Sequence, residues 1–554
     1  MARGVLLKTR TLPNAFAGRN GRRRDVVAAW DWGSTSVRLT ICPLPTGDDE
    51  DIFEAEVLFN RNSLPTQDGT RYEKGSFSGF INISGRGEVY TGDEIGPSTT
   101  QVSAKFFLGD GFSDTRGGIA TGTTFSEVNA ALAEVNVLRQ QILERQGDPD
   151  FMRRGNLGVK QILTAVLLRL ESECHRKNKP LRVVDIGLSV PAHWTLREHE
   201  RYRELIEEVL SNDSQHGSTP TMLTSRSFNL DDINDHIHFH TEAEAMAHFL
   251  CSDEDIANKT LGRNVSQYVL FIDFGGSSTN ICLFFVRRRA GRTALFKAGN
   301  SIGMVGGSSM LETSVGNFCV DHTNFGGNQP TSSEHTSLLR NEFLRAFRWR
   351  LIADGLRNPF REESASTFEA MYQKDMDLSI DRPENYPSTS LRFHVTIPAA
   401  NLNQMFHQAF FLPLYQACEG IKGLKKTLET APKGTRGRIV VSGGGAKNQS
   451  VKHYLFTATN EIFESMSPPP IIFLDCLPET PWESFNTAKG AAIATAKANL
   501  SVASYITKGA AFGIQVQRGP GLKSEAEWDN EASVILGKTF GLIGNSKICI
   551  SDSD

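Results

Sequence analysis

A chain of 554 residues that is 39% hydrophobic and 22% charged has enough apolar surface to bury several cores, which excludes a disordered or collagen-like chain. A net charge of -4 supplies no global field for nucleic acid or anionic lipid, and no basic stripe alternates with aromatics. Eight scattered cysteines with no CxxC pair argue against a zinc or dithiol site, and no apolar run approaches the ~20 residues of a membrane span. Reduced thiols and a cytoplasmic setting are expected.

Residues 1–24 hold Arg3, Lys8, Arg10, Arg19, Arg22, Arg23 and Arg24 and no acid, while Pro13, Gly18 and Gly21 interrupt any long helix. A basic disordered arm is expected there, with mitochondrial targeting as the lesser alternative. From Val26 to Ile41, VVAAWDWGSTSVRLTI reads as a buried strand, a tight turn and a returning strand, with Asp31, Gly33, Ser34 and Thr35 at the polar tip. Glycine lets backbone N–H groups close on a ligand, and hydroxyls add donors. Such a tip suits a phosphate held with a divalent cation. The stretch 48–150, polar with short apolar runs, is expected to be an exposed inserted subdomain. Asn156–Cys174 has helical apolar spacing, Val183–Val190 reads as a strand ended by Pro191, and Leu196–Leu210 as a charged amphipathic helix.

The tip motif then returns. Tyr268–Val286, YVLFIDFGGSSTNICLFFV, places Asp273, Gly275, Gly276, Ser277, Ser278 and Thr279 between two apolar runs. A Gly/Ser turn joining strands is by itself an ordinary turn; its repetition is the informative feature, because it suggests two similar half-domains facing one ligand. Residues 316–337 read as a loop, Ser337–Leu356 as a basic helix, Leu391–Ile397 as a strand and Asn401–Glu419 as a helix. A third glycine turn, VVSGGGAK at Val440–Lys447, follows a strand and precedes an expected helix at Asn448–Thr459; a nucleoside is its natural occupant.

Taken together and in order, these motifs resemble the actin-like ATPase superfamily, and within it the ATPase domain of the heat shock protein 70 family, over about Asp25–Ala498. DWGSTS is similar to the first phosphate loop, DFGGSST to the second and VVSGGGAKNQSVKHYL to the adenosine loop. GLSVPAHWTLREHER resembles the proline-bearing strand and helix linking the lobes, HTEAEAMAHF the Glu-bearing segment, SIGMVGGSSML the Gly-Gly turn under the phosphates, and AKGAAIATA the closing helix.

The resemblance implies an α/β fold of two lobes, each a ribonuclease H-like domain, around a cleft for ATP or ADP with Mg2+. Lobe I is expected over 25–266 with its insert at 48–150, lobe II over 267–498 with its insert at 312–395, and a short extension over 499–554. It implies Asp31, Lys105, Glu242 and Asp273 as catalytic residues, with Asp31 and Asp273 holding the metal through water. It implies Gly33, Ser34, Thr35, Gly275, Gly276, Ser277, Ser278, Gly306, Gly307, Gly443, Gly444, Gly445 and Lys447 as nucleotide contacts. Glu342 and Arg345 are the only counterparts on offer for the chaperones' charged clamp on adenine, and a solvated helix face is the expected reading of that basic helix.

Two departures bear on function. The residues after 498 are too few for the client-binding sandwich and lid of the chaperones. Asn280 stands where the family has a further aspartate on the returning strand, so hydrolysis is expected to be slow and binding to survive. Three readings stay open: a chaperone-like or regulatory ATPase signalling to a protein partner or co-chaperone, a nucleotide-binding pseudo-enzyme scaffold, and a small-molecule kinase of the same superfamily. Neither nucleic acid nor membrane is an expected partner.

Overall fold

The computed structural model describes residues 24–499 apart from 35, 45–54, 59–76, 85–86, 92–98, 109–149, 177–180, 195, 213–235, 264, 290–291, 300, 324–332, 356–371, 373, 384–385, 387–390, 465 and 475–484. It is a mixed α/β structure built on two large sheets. Thr35, most of the expected insert at 48–150, the basic arm before Arg24 and the C-terminal extension after Asn499 therefore lie outside the described residues.

The first sheet begins with a hairpin, β1 (Arg24–Trp32) and β2 (Ser36–Pro43), flanked by β3 (Glu56–Leu58) and β4 (Phe77–Ser78). Next come β5 (Phe80–Ser84), β6 (Val89–Thr91) and β7 (Thr99–Ser103), a separate three-stranded sheet, then the single turn α1 (Lys105–Leu108) and the long α2 (Phe151–Arg176). This part of the expected insert is not all surface. Ile81 and Phe107 are fully buried, and Phe107 packs at a tilt against Phe151 with ring centroids 5.1 Å apart, because α2 turns an apolar face to it. After β8 (Leu181–Val190), α3 (Leu196–Asn212) and β9 (Ile237–Thr241), the first large sheet is complete in the order β3-β2-β1-β8-β9.

The same order is then built again. Helices α4 (Glu242–Ser252) and α5 (Glu254–Thr260) lead to β10 (Ser266–Phe274), β11 (Ser278–Arg289), β12 (Arg292–Lys297) and β13 (Ile302–Val305). Helices α6 (Ser308–His322) and α7 (Ser333–Gly355), the hairpin β14 (Met376–Asp381) and β15 (Arg392–Ile397), and α8 (Ala399–Thr430) follow. Last come β16 (Arg436–Ser442), α9 (Gln449–Ile462), β17 (Ile471–Phe473) and α10 (Asn486–Asn499). The second sheet runs β12-β11-β10-β16-β17. In both sheets the central hairpin is antiparallel and the two strands on its other side are parallel to it.

The apolar runs of β1 and β10 are unbroken because both faces of each strand are covered. Val26, Ala28, Trp30 and Trp32 enter the core shared with α2 and α3, while Val27 and Ala29 meet Ala491, Ala492 and Ala496 of α10. Leu270, Ile272 and Phe274 pack on Phe406, Phe410 and Ala417 of α8, whereas Val269 and Phe271 face Ala243, Met246 and Leu250 of α4. Helices α4 and α10 press together between the sheets: a Cβ added to Gly490 would stand 1.7 Å from the carbonyl oxygen of Ala245.

The loop expected at 316–337 is corrected at both ends, since α6 continues through Gly316 to His322 and α7 begins at Ser333. The missing side chain lets α7 cross closely there, Arg340 Cγ lying 2.8 Å from where a Cβ would be. The helix expected to stop at Glu419 runs on to Thr430, carrying Gly420 against Ile281. No helix among the described residues is long and apolar enough to cross a membrane.

Candidate functional site

The chemistry gathers where the two central hairpins end. In the first, Asp31 lies across from Arg38 on β2; in the second, Asp273 lies across from Asn280 on β11. The same bond closes both turns, from the Gly33 N–H to the Ser36 carbonyl at 2.9 Å and from the Gly275 N–H to the Ser278 carbonyl at 2.8 Å. On its parallel side each aspartate has a serine, Ser189 of β8 beside Asp31 and Ser442 of β16 beside Asp273. Both hydroxyls donate to their aspartate, Ser442 Oγ lying 2.8 Å from Asp273 Oδ1. A pattern of aspartate, hydroxyl turn and flanking serine thus occurs twice.

The tips face one another. Ser34 Oγ and Ser277 Oγ are 3.0 Å apart, and a Cβ on Gly276 would come within 2.7 Å of Ser34 Oγ, so only glycine fits the meeting point. The Gly306–Gly307 turn braces the second tip from below: Gly306 N–H donates to the Ser277 carbonyl at 3.1 Å and Ser309 N–H to the Gly276 carbonyl at 2.8 Å. Gly443, with φ 94°, presses the third turn against it, since a Cβ there would lie 2.2 Å from the Phe274 carbonyl oxygen. Gly445 is buried beside Gly275, while Gly444 and Lys447 are exposed on the outer side of that turn.

Lys105 and Glu242 complete the cluster. A capping box, in which Thr241 Oγ1 accepts from the Glu244 N–H and Glu244 accepts from the Thr241 N–H at 3.1 Å, starts α4 and fixes Glu242 at its first position. Glu242 Oε1 accepts from Lys105 Nζ, and its Oε2 accepts from Ser278 Oγ at 3.2 Å and from the Asn280 amide. Lys105 Nζ also reaches Ser278 Oγ at 3.3 Å. Asn280 Oδ1 in turn accepts the Ala192 N–H at 2.6 Å, tying β11 to the turn after β8.

Asp31, Glu242 and Asp273 share this small volume with only Lys105 and Arg38 among the described cations in contact with the acids. Burial pushes the Asp273 carboxyl up to about 7, and the Glu242 and Asp31 charges add to the rise against the Ser442 hydrogen bond and Lys105. Burial also raises Glu242, with Lys105 opposing and Asp31 reinforcing. His193 is pushed down to about 3 by burial and by Lys105.

No family model matches this chain, and no curated protein matches it either. The site therefore stands on its own geometry, which brings Asp31, Gly33, Ser34, Lys105, Glu242, Asp273, Gly275, Gly276, Ser277, Ser278, Gly306, Gly307, Gly443 and Gly445 to one place. Glu342 and Arg345, the expected adenine clamp, bond to each other at 3.2 Å on the exposed face of α7.

Of the two acids expected to hold a metal through water, Asp31 is the more engaged. Asp31 already carries the Arg38 guanidinium at 2.8 Å on one oxygen and the Ser189 hydroxyl on the other, and Asn280 spends both ends of its amide on Glu242 and Ala192. Among the described residues no group of three or more His, Cys, Asp or Glu side chains is placed to hold a metal ion. Sequence reading missed Arg38, Ser189 and Ser442. The signal for Arg38 was present, because it follows Asp31 at the same interval at which Asn280 follows Asp273.

Proposed function

We propose that this chain is a nucleotide-binding protein on the actin-like ATPase plan, two ribonuclease H-like lobes with ATP or ADP between their hairpin tips, of the kind found in the heat shock protein 70 family. One observation carries the reading. Two sheets of identical strand order each end in an aspartate, a glycine-hydroxyl turn and a flanking serine, and the two turns meet at Ser34 and Ser277. Backbone N–H groups and hydroxyls converging from two sides are what a chain of phosphates requires.

The tips touch, so a phosphate entering between them must part them, and binding is thereby coupled to movement of one half against the other. That coupling suits a chaperone-like or regulatory protein that reports its nucleotide state to a protein partner in the cytoplasm. Lys105 is the group that would draw charge from a transferring phosphoryl. Asn280 is an amide where the resemblance expects a carboxylate, and its bond to Glu242 engages that acid, which favours slow turnover and keeps the nucleotide-binding pseudo-enzyme as a second reading.

Calorimetric titration with ATP and ADP, in the presence and absence of Mg2+, tests the reading together with single-turnover hydrolysis. Saturable binding that is lost in Gly276→Val, a change that crowds the meeting point of the tips, is the expected result. Absence of binding to either nucleotide under both conditions overturns it.

A further inference from the structure

Helix α8 crosses the second sheet on a diagonal. Its Ala409 and Pro413 lie against Gly306 just past β13, Gly420 against Ile281 and Leu270 in mid-sheet, and Leu428 against Gly437 at the start of β16. That path leads away from the corner formed by the start of β10, the end of β11 and β12. Three rings stand across this corner, one per strand. Tyr268 of β10 pairs with Phe285 of β11, and Phe285 with Phe296 of β12, with ring centroids 5.1 and 6.3 Å apart and planes tilted by 58° and 41°. Phe285 and Phe296 are half-buried, and neither enters a hydrophobic core among the described residues. The next residues on the same face of β11 are Arg287, set between Ser266 and Ala294, and then Arg289. Both are exposed, and neither side chain makes a hydrogen bond or ion pair to another described residue. Arg288, on the opposite face, is instead buried and spent on Asn258, Gly262 and Thr293. The net charge of -4 does not cancel this corner, because solvent-exposed charges act over a Debye length of about 8 Å.

We infer that this corner binds single-stranded nucleic acid, with bases stacked on the row from Phe285 to Phe296 and phosphates held by Arg287 and Arg289. Rings carried on neighbouring strands of a sheet suit successive unstacked bases, and a guanidinium fork matches phosphate oxygens. The other polyanions use only half of the surface. An acidic protein segment would engage the arginines and leave the rings bare, and a duplex keeps its bases stacked inside. The corner lies at the far end of β10 and β11 from the Asp273 turn, so the inference does not rest on the nucleotide reading.

The experiment follows the fluorescence anisotropy of labelled single-stranded DNA and RNA of about 15 nucleotides, and of the matching DNA duplex, as the full chain is added. The expected result is saturable binding to at least one single strand, at least tenfold tighter than to the duplex. Arg287→Glu with Arg289→Glu should weaken it at least tenfold and flatten its salt dependence, whereas Phe285→Leu with Phe296→Leu should weaken it at least fivefold and leave the salt slope as it was. No binding, equal binding to the duplex, or wild-type affinity in either double variant overturns the inference. Displacement of the strand by poly-glutamate at equal charge concentration also overturns it, in favour of an acidic protein partner. Should the phenylalanine variant fail to fold, the arginine variant, the duplex and the poly-glutamate competition decide the question.

Discussion

The two central hairpins are copies in outline and opposites in charge. Each has an aspartate at the end of its first strand, a turn closed by one backbone bond and a serine on the parallel neighbour. Across the hairpin, however, Asp31 meets a guanidinium and Asp273 meets an amide that is turned away toward Glu242. The first acid is matched by a cation on its own hairpin, whereas the second is raised by burial and by the charges around it. One backbone plan therefore supports two electrostatic settings, which differ in the residue across the hairpin and in the charges gathered around the second acid.

The largest way to break this comparison is to remove the first acid. Asp31→Asn leaves Arg38 mostly buried without its counter-charge and should cost about 3 kcal/mol in urea unfolding, whereas Asp273→Asn should stay within about 1 kcal/mol at neutral pH. Equal losses at the two positions would show that the hairpins are electrostatically alike after all.

A smaller effect is expected from Asn280→Asp. The new carboxylate would lose the amide donor to Glu242 and confront that acid directly, so stability should fall by about 1 to 3 kcal/mol, read from the same unfolding curves. An unchanged midpoint would mean that the bond between Asn280 and Glu242 contributes nothing.

The subtlest difference lies in pH dependence. Asp273 titrates near 7 in the folded protein and near its ordinary 3.8 when unfolded, so between those values the folded state holds a proton that the unfolded chain has released. Its contribution to stability is complete below about pH 4 and is lost as the pH rises toward 7. Replacing Asp273 with Asn should flatten that decline in a series of unfolding midpoints; an unaltered slope would place its cause elsewhere.

Much of this arrangement was legible in the chain because strong local signals coincide. Unbroken apolar runs ending in an acid and glycines mark Asp31 and Asp273 as strand ends, and both strands lie where those runs place them. Lys105 and Glu242, far apart in sequence, were singled out only through the order of loose motifs, and the structure puts them in contact. What could not be read was register. Arg38, Ser189 and Ser442 gain their meaning from the residue across the ladder, and composition does not reveal which residue that is. Helix ends near glycine were also misread: Gly316 and Gly420 each sit within a helix, where a side chain of a neighbouring element packs close to the glycine. The tertiary contact outweighs the local cost of about 1 kcal/mol.

The seam between α4 and α10 joins the two large sheets, since α4 packs on β10 and α10 on β1. With Gly490 seated against the Ala245 carbonyl, the two backbones leave no room for even a methyl group between them. On the proposed reading, a phosphate that parts Ser34 from Ser277 would have to strain this joint, through which the two sheets are bound to one another.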